Sequence, residues 1–155
     1  MGRVKLFCGI DPGIKGAVAF VREDGSLHSY TRMPKHLPDI KSHIVEAKPW
    51  RIFIEKQHSA PMQGVKSTFT TGMNYGILLG VLETLGFSFE VVGAKIWQKL
   101  VVGIASKSSD AKVRAFEKAR RLWPTESFIP HRCTKPHDGI IDACLIAEYG
   151  RRINV

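Results

Sequence analysis

The stretch Leu6–Phe20, LFCGIDPGIKGAVAF, limits what this chain can fold into more than any other. An apolar run from Leu6 to Ile10 closes on a single carboxylate, Asp11. Pro12 and Gly13 turn the chain, and Gly16 opens a second apolar run from Ala17 to Val21. The pattern is that of strand, tight turn, strand. A carboxylate at the end of a buried strand is costly unless it is paired, exposed or bound to a cation. Taken alone, Asp11 also reads as a residue that simply starts a turn.

At 155 residues the chain is expected to form one domain, 1–155, with a core of its own. A formal charge of +9 points to a polyanionic partner, nucleic acid first, although basic charge also serves solubility. Cys8, Cys133 and Cys144 lack zinc-ligand spacing and read as reduced thiols of an intracellular protein. No apolar run reaches the roughly 18 residues of a membrane span, and no signal-peptide pattern opens the chain. The expected location is therefore inside the cell.

Further along, Glu23–Ser26 is a second turn signal and Leu27–Met33 a third strand, giving an antiparallel meander. A helix is predicted over Ile40–Ala47, stopped by Pro49. Arg51–Glu55 is a short apolar strand that again ends in an acid. Lys56–Thr71 reads as a long polar loop, and loops of that length in compact domains are often functional. A helix follows over Gly72–Leu85, with Gly72, Gly76 and Gly80 on one stripe where another backbone can come close. That backbone belongs either to the chain's own sheet or to a second subunit. Phe87–Val92 reads as a strand, and Ala94–Leu100 as a short helix carrying Trp97 and Lys99. Gly103–Ser109 is a basic loop, and Asp110–Leu122 a basic helix with Lys112 and Arg114. After an irregular segment, Thr125–Pro136, the last helix is HDGIIDACLIAEYG. Asp138 and Asp142 are four apart in it and share one face, where they repel unless a cation intervenes. A capping Asp followed by a solvated one is the plainer alternative.

Four acids thus stand out: Asp11, Glu55, Asp138 and Asp142. Oxygen ligands of this kind suit Mg²⁺ or Mn²⁺, which bind a few carboxylates and keep waters and phosphate oxygens. Two such ions can hold both the attacking water and the leaving oxygen of a phosphodiester. With basic residues to neutralise a nucleic-acid backbone, the pattern points to a metal-dependent nuclease.

The order of elements resembles the RNase H-like superfamily. Within it, GIDPG-x-x-GA, a strand ending in IEK, GMNYG-x-L-x-G, WQK and HDGIIDACLIAEYG resemble RuvC-type Holliday junction resolvases, the phage-encoded branch most, with the plant chloroplast resolvases next. The resemblance covers nearly the whole chain, and it implies the cytoplasm or nucleoid of a bacterium, with a phage as one source of the gene and an organelle, after removal of a transit peptide, as the alternative. It implies an α/β, RNase H-like fold with a five-stranded mixed sheet flanked by helices, and a crossover junction endodeoxyribonuclease using two Mg²⁺ or Mn²⁺ ions per site. Its metal-binding acids fall on Asp11, Glu55, Asp138 and Asp142, and a basic residue that contacts the cleaved phosphate falls on Lys112. Where one bacterial branch has an aromatic that wedges into the junction, this chain has His58. The phage-type KKDDG stretch reads Lys135-Pro136-His137-Asp138-Gly139, and His137 is a candidate to assist the site or to touch a phosphate.

The expected partner is branched DNA, a four-way junction. The candidate DNA contacts are Lys112, Arg114, Lys99, Lys66, His58, Gln63 and Phe69, with Met62 beside them in the long loop. Paired nicks about a two-fold axis call for a homodimer. The expected interface is the Gly72–Leu85 helix, through Tyr75, Leu78, Leu79 and Leu82 beside its small residues. A related nuclease acting on RNA or other branched DNA is the alternative. A structure-specific binder with a dead site is opposed by four intact acids. A sugar-kinase-like phosphate loop at DPGIKG would need a duplicated domain that 155 residues cannot hold.

Overall fold

The computed structural model describes residue 2, residues 4–104 and residues 110–155. The basic loop expected over Gly103–Ser109 therefore lies outside the described residues from 105 onward. Three strands come first: β1 (Leu6–Asp11), β2 (Ala17–Arg22) and β3 (Leu27–Arg32). A 3-10 turn at Leu37–Asp39 leads into α1 (Ile40–Ala47) and then β4 (Arg51–Glu55). The long helix α2 (Val65–Leu85), β5 (Phe89–Val92), α3 (Ala94–Val101), α4 (Ala111–Leu122) and α5 (Asp138–Asn154) follow.

The sheet runs β3-β2-β1-β4-β5. The β1–β2 and β2–β3 pairs are antiparallel, while β1–β4 and β4–β5 are parallel. The meander and the mixed five-stranded sheet follow the sequence reading. Side chains alternate across a strand, so each face has its own core. Phe7, Ala17, Ala19, Val21 and Phe53 face α3, α4 and α5. Cys8, Ile10, Val18, Phe20, Ile52 and Ile54 face α1 and α2. The same alternation sets Asp11 in phase with Phe7 and Glu55 in phase with Phe53, so both strand-ending acids belong to the α5 face. Ile10 is in register with Ile54, so the next residue of each strand is an acid at the same level.

Helix α5 is buried at every residue from Gly139 to Gly150 except Asp142. Such depth requires close backbone approach, and glycines supply it. A Cβ at Gly9 of β1 would strike the Ala143 carbonyl and the Ala147 amide of α5. A Cβ at Gly139 would strike the Lys15 carbonyl in the β1–β2 turn, and one at Gly150 the Phe53 ring. At the far end of α5, buried Glu148 accepts from Arg151 Nε at 2.7 Å and from Arg152 Nε at 2.7 Å. Arg151 also donates to the Glu23 carbonyl.

The reading of Lys56–Thr71 as a loop is corrected. Only residues 56–64 are irregular, and α2 begins at Val65, after an extended Gly64. Lys66 and Phe69 are helical. The first two turns of α2 stand in solvent, so no apolar periodicity marks them. Their hydroxyls are satisfied locally: Thr70 Oγ1 donates to the Lys66 carbonyl at 3.0 Å, and Gln63 Nε2 donates to Ser67 Oγ at 3.0 Å.

The expected dimer face is also corrected. Leu78 and Leu82 are buried against α1 and the sheet, with Tyr75 and Leu79 packed beside them. The glycine stripe turns the other way, and a Cβ at Gly72, Gly76 or Gly80 would meet open space. It does not serve packing on the chain's own sheet.

Candidate active site

Asp11 and Glu55 stand at the ends of adjacent parallel strands, and α5 starts over them. Its position is set from several sides. The backbone amide of His137 donates to the Phe128 carbonyl at 2.9 Å, and His137 Nδ1 accepts from the Ile140 amide at 3.2 Å. Phe128 is fully buried at φ +57°, a left-handed conformation that a bulky residue adopts only when its surroundings impose it. Its ring stacks on Tyr30 and meets Trp123 edge-on. His137 is thus first a cap of α5, with Nδ1 engaged by the helix. Burial pushes the nearby Asp11 carboxyl up, partly offset by the Gly13 amide, which donates to its Oδ1 at 3.2 Å.

The first turn of α5 carries Asp138, and Asp142, expected on that same turn, stands on the second because the helix begins only at Asp138. The two differ in setting. Asp142 is half-buried, and its pKa is raised to about 7, first by burial and then by repulsion from Asp11, Glu55 and Asp138. Glu55 is raised by burial and by Asp11. Asp11 pushes up both Glu55 and Asp142, and Glu55 pushes up Asp142, so the three acids share one neighbourhood. Asp138 is exposed and pairs with Lys112 Nζ at 2.8 Å; the two side chains are 55% and 75% exposed. An ion pair that open to water is easily exchanged.

Among the described residues no three His, Cys, Asp or Glu side chains already stand in ligating geometry around one point. The donor set nonetheless fits a hard divalent cation. Mg²⁺ takes one or two carboxylates per ion and fills the rest of its shell with water and phosphate oxygens. Mutually repelling, partly desolvated carboxylates are what a bound cation would relieve.

The other predicted residues are placed unevenly. Lys112 lies at the site through Asp138. Arg114 is half-buried, lining with Gln98, Lys112 and Asp142 a cavity of about 60 Å³. Its Nη1 reaches the Gly103 carbonyl at 3.5 Å, and its buried Nε has no partner among the described residues. Lys99 is exposed in the last turn of α3. His58 is exposed in the loop after Glu55. Gln63 is not a free base reader, because its Oε1 accepts from the Ala60 amide at 3.0 Å and its Nε2 serves Ser67 and Thr71. It clamps a turn that leaves Met62 fully exposed at φ +64°. Lys66 is exposed on α2, as is Phe69, at 71%.

Sequence reasoning gave no role to Trp97, whose indole Nε1 donates to Glu55 Oε2 at 2.6 Å. Its one signal was the WQK motif. Gly9, Gly139 and Gly150 were missed too, since close approach between elements distant in sequence leaves no local mark.

The fold is RNase H-like, and solved resolvase structures share it. The RuvC structure of Thermus thermophilus matches with a TM-score of 0.63 at 17% identity, covering 96% of each chain. RuvC of the same organism, in complex with Holliday junction substrate, matches with a TM-score of 0.65 at 15% identity over 94% of this chain and 92% of that one. The yeast mitochondrial Holliday junction resolvase matches with a TM-score of 0.59 at 15% identity, over 94% of this chain and 77% of that one. No family profile matches the sequence, and no curated protein does. Among the described residues no helix is long and apolar enough to cross a membrane.

Proposed function

We propose that this chain is a divalent-metal-dependent endonuclease that resolves four-way DNA junctions by paired nicks. One observation carries the reading. Two acids end neighbouring parallel strands in register, and a third, Asp142, is brought over them by a helix held against the sheet at Gly9. Solved structures that share this fold include RuvC in complex with Holliday junction substrate and the yeast mitochondrial Holliday junction resolvase.

In this reading Asp11, Glu55 and Asp142 hold Mg²⁺ or Mn²⁺, with Asp138 completing the set. Bound there, the ions would supply an activated water and stabilise the leaving oxygen of the phosphodiester. Lys112 leaves Asp138 and turns to the scissile phosphate, and Arg114 reinforces it. Lys66, Lys99 and His58 touch the backbone around the break, while Met62 and Phe69 offer apolar surface to unstacked bases. The net charge of +9 makes binding fall steeply with salt.

Two nicks need two sites, so the working unit is a symmetric dimer. Its interface is the outer face of α2. Glycine costs a helix about 1 kcal/mol relative to alanine, and here three glycines gain nothing inside the chain. Met73 and Ile77 are exposed on the same helix. A second copy of α2 laid against this face gives all of them a purpose.

A cleavage gel with a four-way junction, linear duplex, a three-way branch and an RNA duplex tests the proposal. Mg²⁺-dependent symmetric cuts in the junction, with little cutting of the linear duplex, are expected. Preferential cutting of RNA would replace the reading with that of an RNA-processing nuclease.

A further inference from the structure

Among the described residues the carboxylate of Glu55 has one side-chain partner, the indole Nε1–H of Trp97, at 2.6 Å. That is short for an N–H···O bond and typical of a charged acceptor. An indole is a donor only, so Trp97 can neither ligate a cation nor take a proton. It cannot swing away, because its ring is fully buried in the core beneath α5, together with Phe53, Val101 and Ala115. The bond engages Oε2 and leaves Oε1 without a protein partner among the described residues.

Glu55 has reason to move. Its terminal torsion is broad and roughly two-fold, and Asp11 and Asp142 repel it. Left free, the carboxylate would turn out to solvent. Building on the metal site proposed above, we infer that Trp97 is a positioning residue for it: the indole pins Oε2 and presents Oε1 to the divalent cation. Asp138, by contrast, is held among the described residues by an exposed lysine that can let go. One acid is thus fixed in advance, and another is released on demand.

Trp97→Phe isolates the point, since it keeps a buried aromatic ring and removes the donor. The variant is expected to fold, to bind a junction in EDTA within about twofold of wild type, and to bind Mn²⁺ ~10–100-fold more weakly, the usual cost of losing an outer partner of a metal ligand. Titration calorimetry or Mn²⁺ paramagnetic resonance reads that change without any cleavage. The unmutated protein offers a second measurement. It has three tryptophans, and the indole N–H signal absent from Trp97→Phe identifies Trp97. That signal should move on Mg²⁺ addition and in Glu55→Gln, while those of Trp50 and Trp123 stay in place.

A folded Trp97→Phe with wild-type Mn²⁺ affinity overturns the positioning role and leaves the metal site standing. So does an indole signal indifferent to Mg²⁺ in a wild type that binds the ion. A wild type that takes up no Mn²⁺ overturns both.

Discussion

The two long helices of this molecule lie on opposite faces of one sheet and use glycine in opposite ways. Helix α5 is buried through most of its length, and glycines at Gly9, Gly139 and Gly150 mark where backbone meets backbone or ring. Helix α2 is longer, yet only Leu78 and Leu82 are buried, and its three glycines face open space. Close packing of α5 serves precision. It brings Asp142 over Asp11 and Glu55, where a loose helix would let the repelling acids drift apart. The openness of α2 answers to something outside the chain, and we assign it to a second copy. The α5 face is where chemistry belongs in this account, and the α2 face is where assembly belongs.

The largest effect should come from the acids on the α5 face. Glu55→Gln or Asp11→Asn should lower junction cleavage by ~10³-fold or more. Each removes charge that holds a cation worth several kcal/mol, at tenfold per ~1.4 kcal/mol. Junction affinity in EDTA should hold or rise, as read by gel shift. Glu placed at Met73 on α2 should instead leave metal binding intact and turn paired cuts into single, uncoordinated nicks.

Next in size is one substitution made on both helix faces. Gly9→Ala should cost ~3 kcal/mol or abolish folding, because backbone on both sides must shift. Gly76→Ala adds a methyl into open space and should stabilise the free monomer by up to ~1 kcal/mol. Thermal melts at low protein concentration compare the two. Equal costs would erase the contrast between the faces.

The acid cluster also predicts a pH dependence confined to the α5 face. A carboxyl whose folded pKa lies above its unfolded value takes up a proton on folding. Stability contributed by that proton is lost as pH rises through the window. For Asp142 the window runs from 3.8 to about 7. The melting temperature of the metal-free protein should therefore fall from pH 5 to pH 8. Asp142→Asn should flatten that fall, and Mg²⁺ at pH 8 should raise the wild-type melt more than the variant's. A wild-type melt independent of pH would break the argument that the acids share one space.

The smallest expected change in stability is at the exposed rim. Lys112→Ala removes only a solvent-exposed ion pair and should leave the melting temperature unchanged within error. Cleavage should nevertheless slow, because the lysine is needed at the phosphate and not for the fold.

Much of this was legible in the residues. Strand-ending acids, a Pro-Gly turn and an i, i+4 pair of aspartates are local patterns, and they located Asp11, Glu55, Asp138 and Asp142. The antiparallel meander followed from the apolar runs and turn signals, while the mixed five-stranded sheet came with the family resemblance. What the chain hid is what depends on its surroundings. The start of α2 lacks periodicity because nothing packs on its first turns. The glycines of α2 and those on the α5 face look alike in sequence, and only the fold shows which are crowded. Gln63 reads as a base contact until its amide is found tying Ala60, Ser67 and Thr71 together. Phe128 gives no sign that its backbone is left-handed, because that conformation is imposed by Tyr30, Trp123 and His137.

The central claim is that α5, pressed onto β1, completes a cation site that cuts a DNA junction. Its most direct test is a Mg²⁺ titration of four-way junction cleavage by the wild type and by Asp142→Asn, with junction binding measured in parallel. The account predicts cuts that rise with Mg²⁺ and vanish in EDTA for the wild type. For Asp142→Asn it predicts no cuts at any Mg²⁺ concentration, despite intact binding. Cleavage by Asp142→Asn at the wild-type rate, or by the wild type in EDTA, would contradict it.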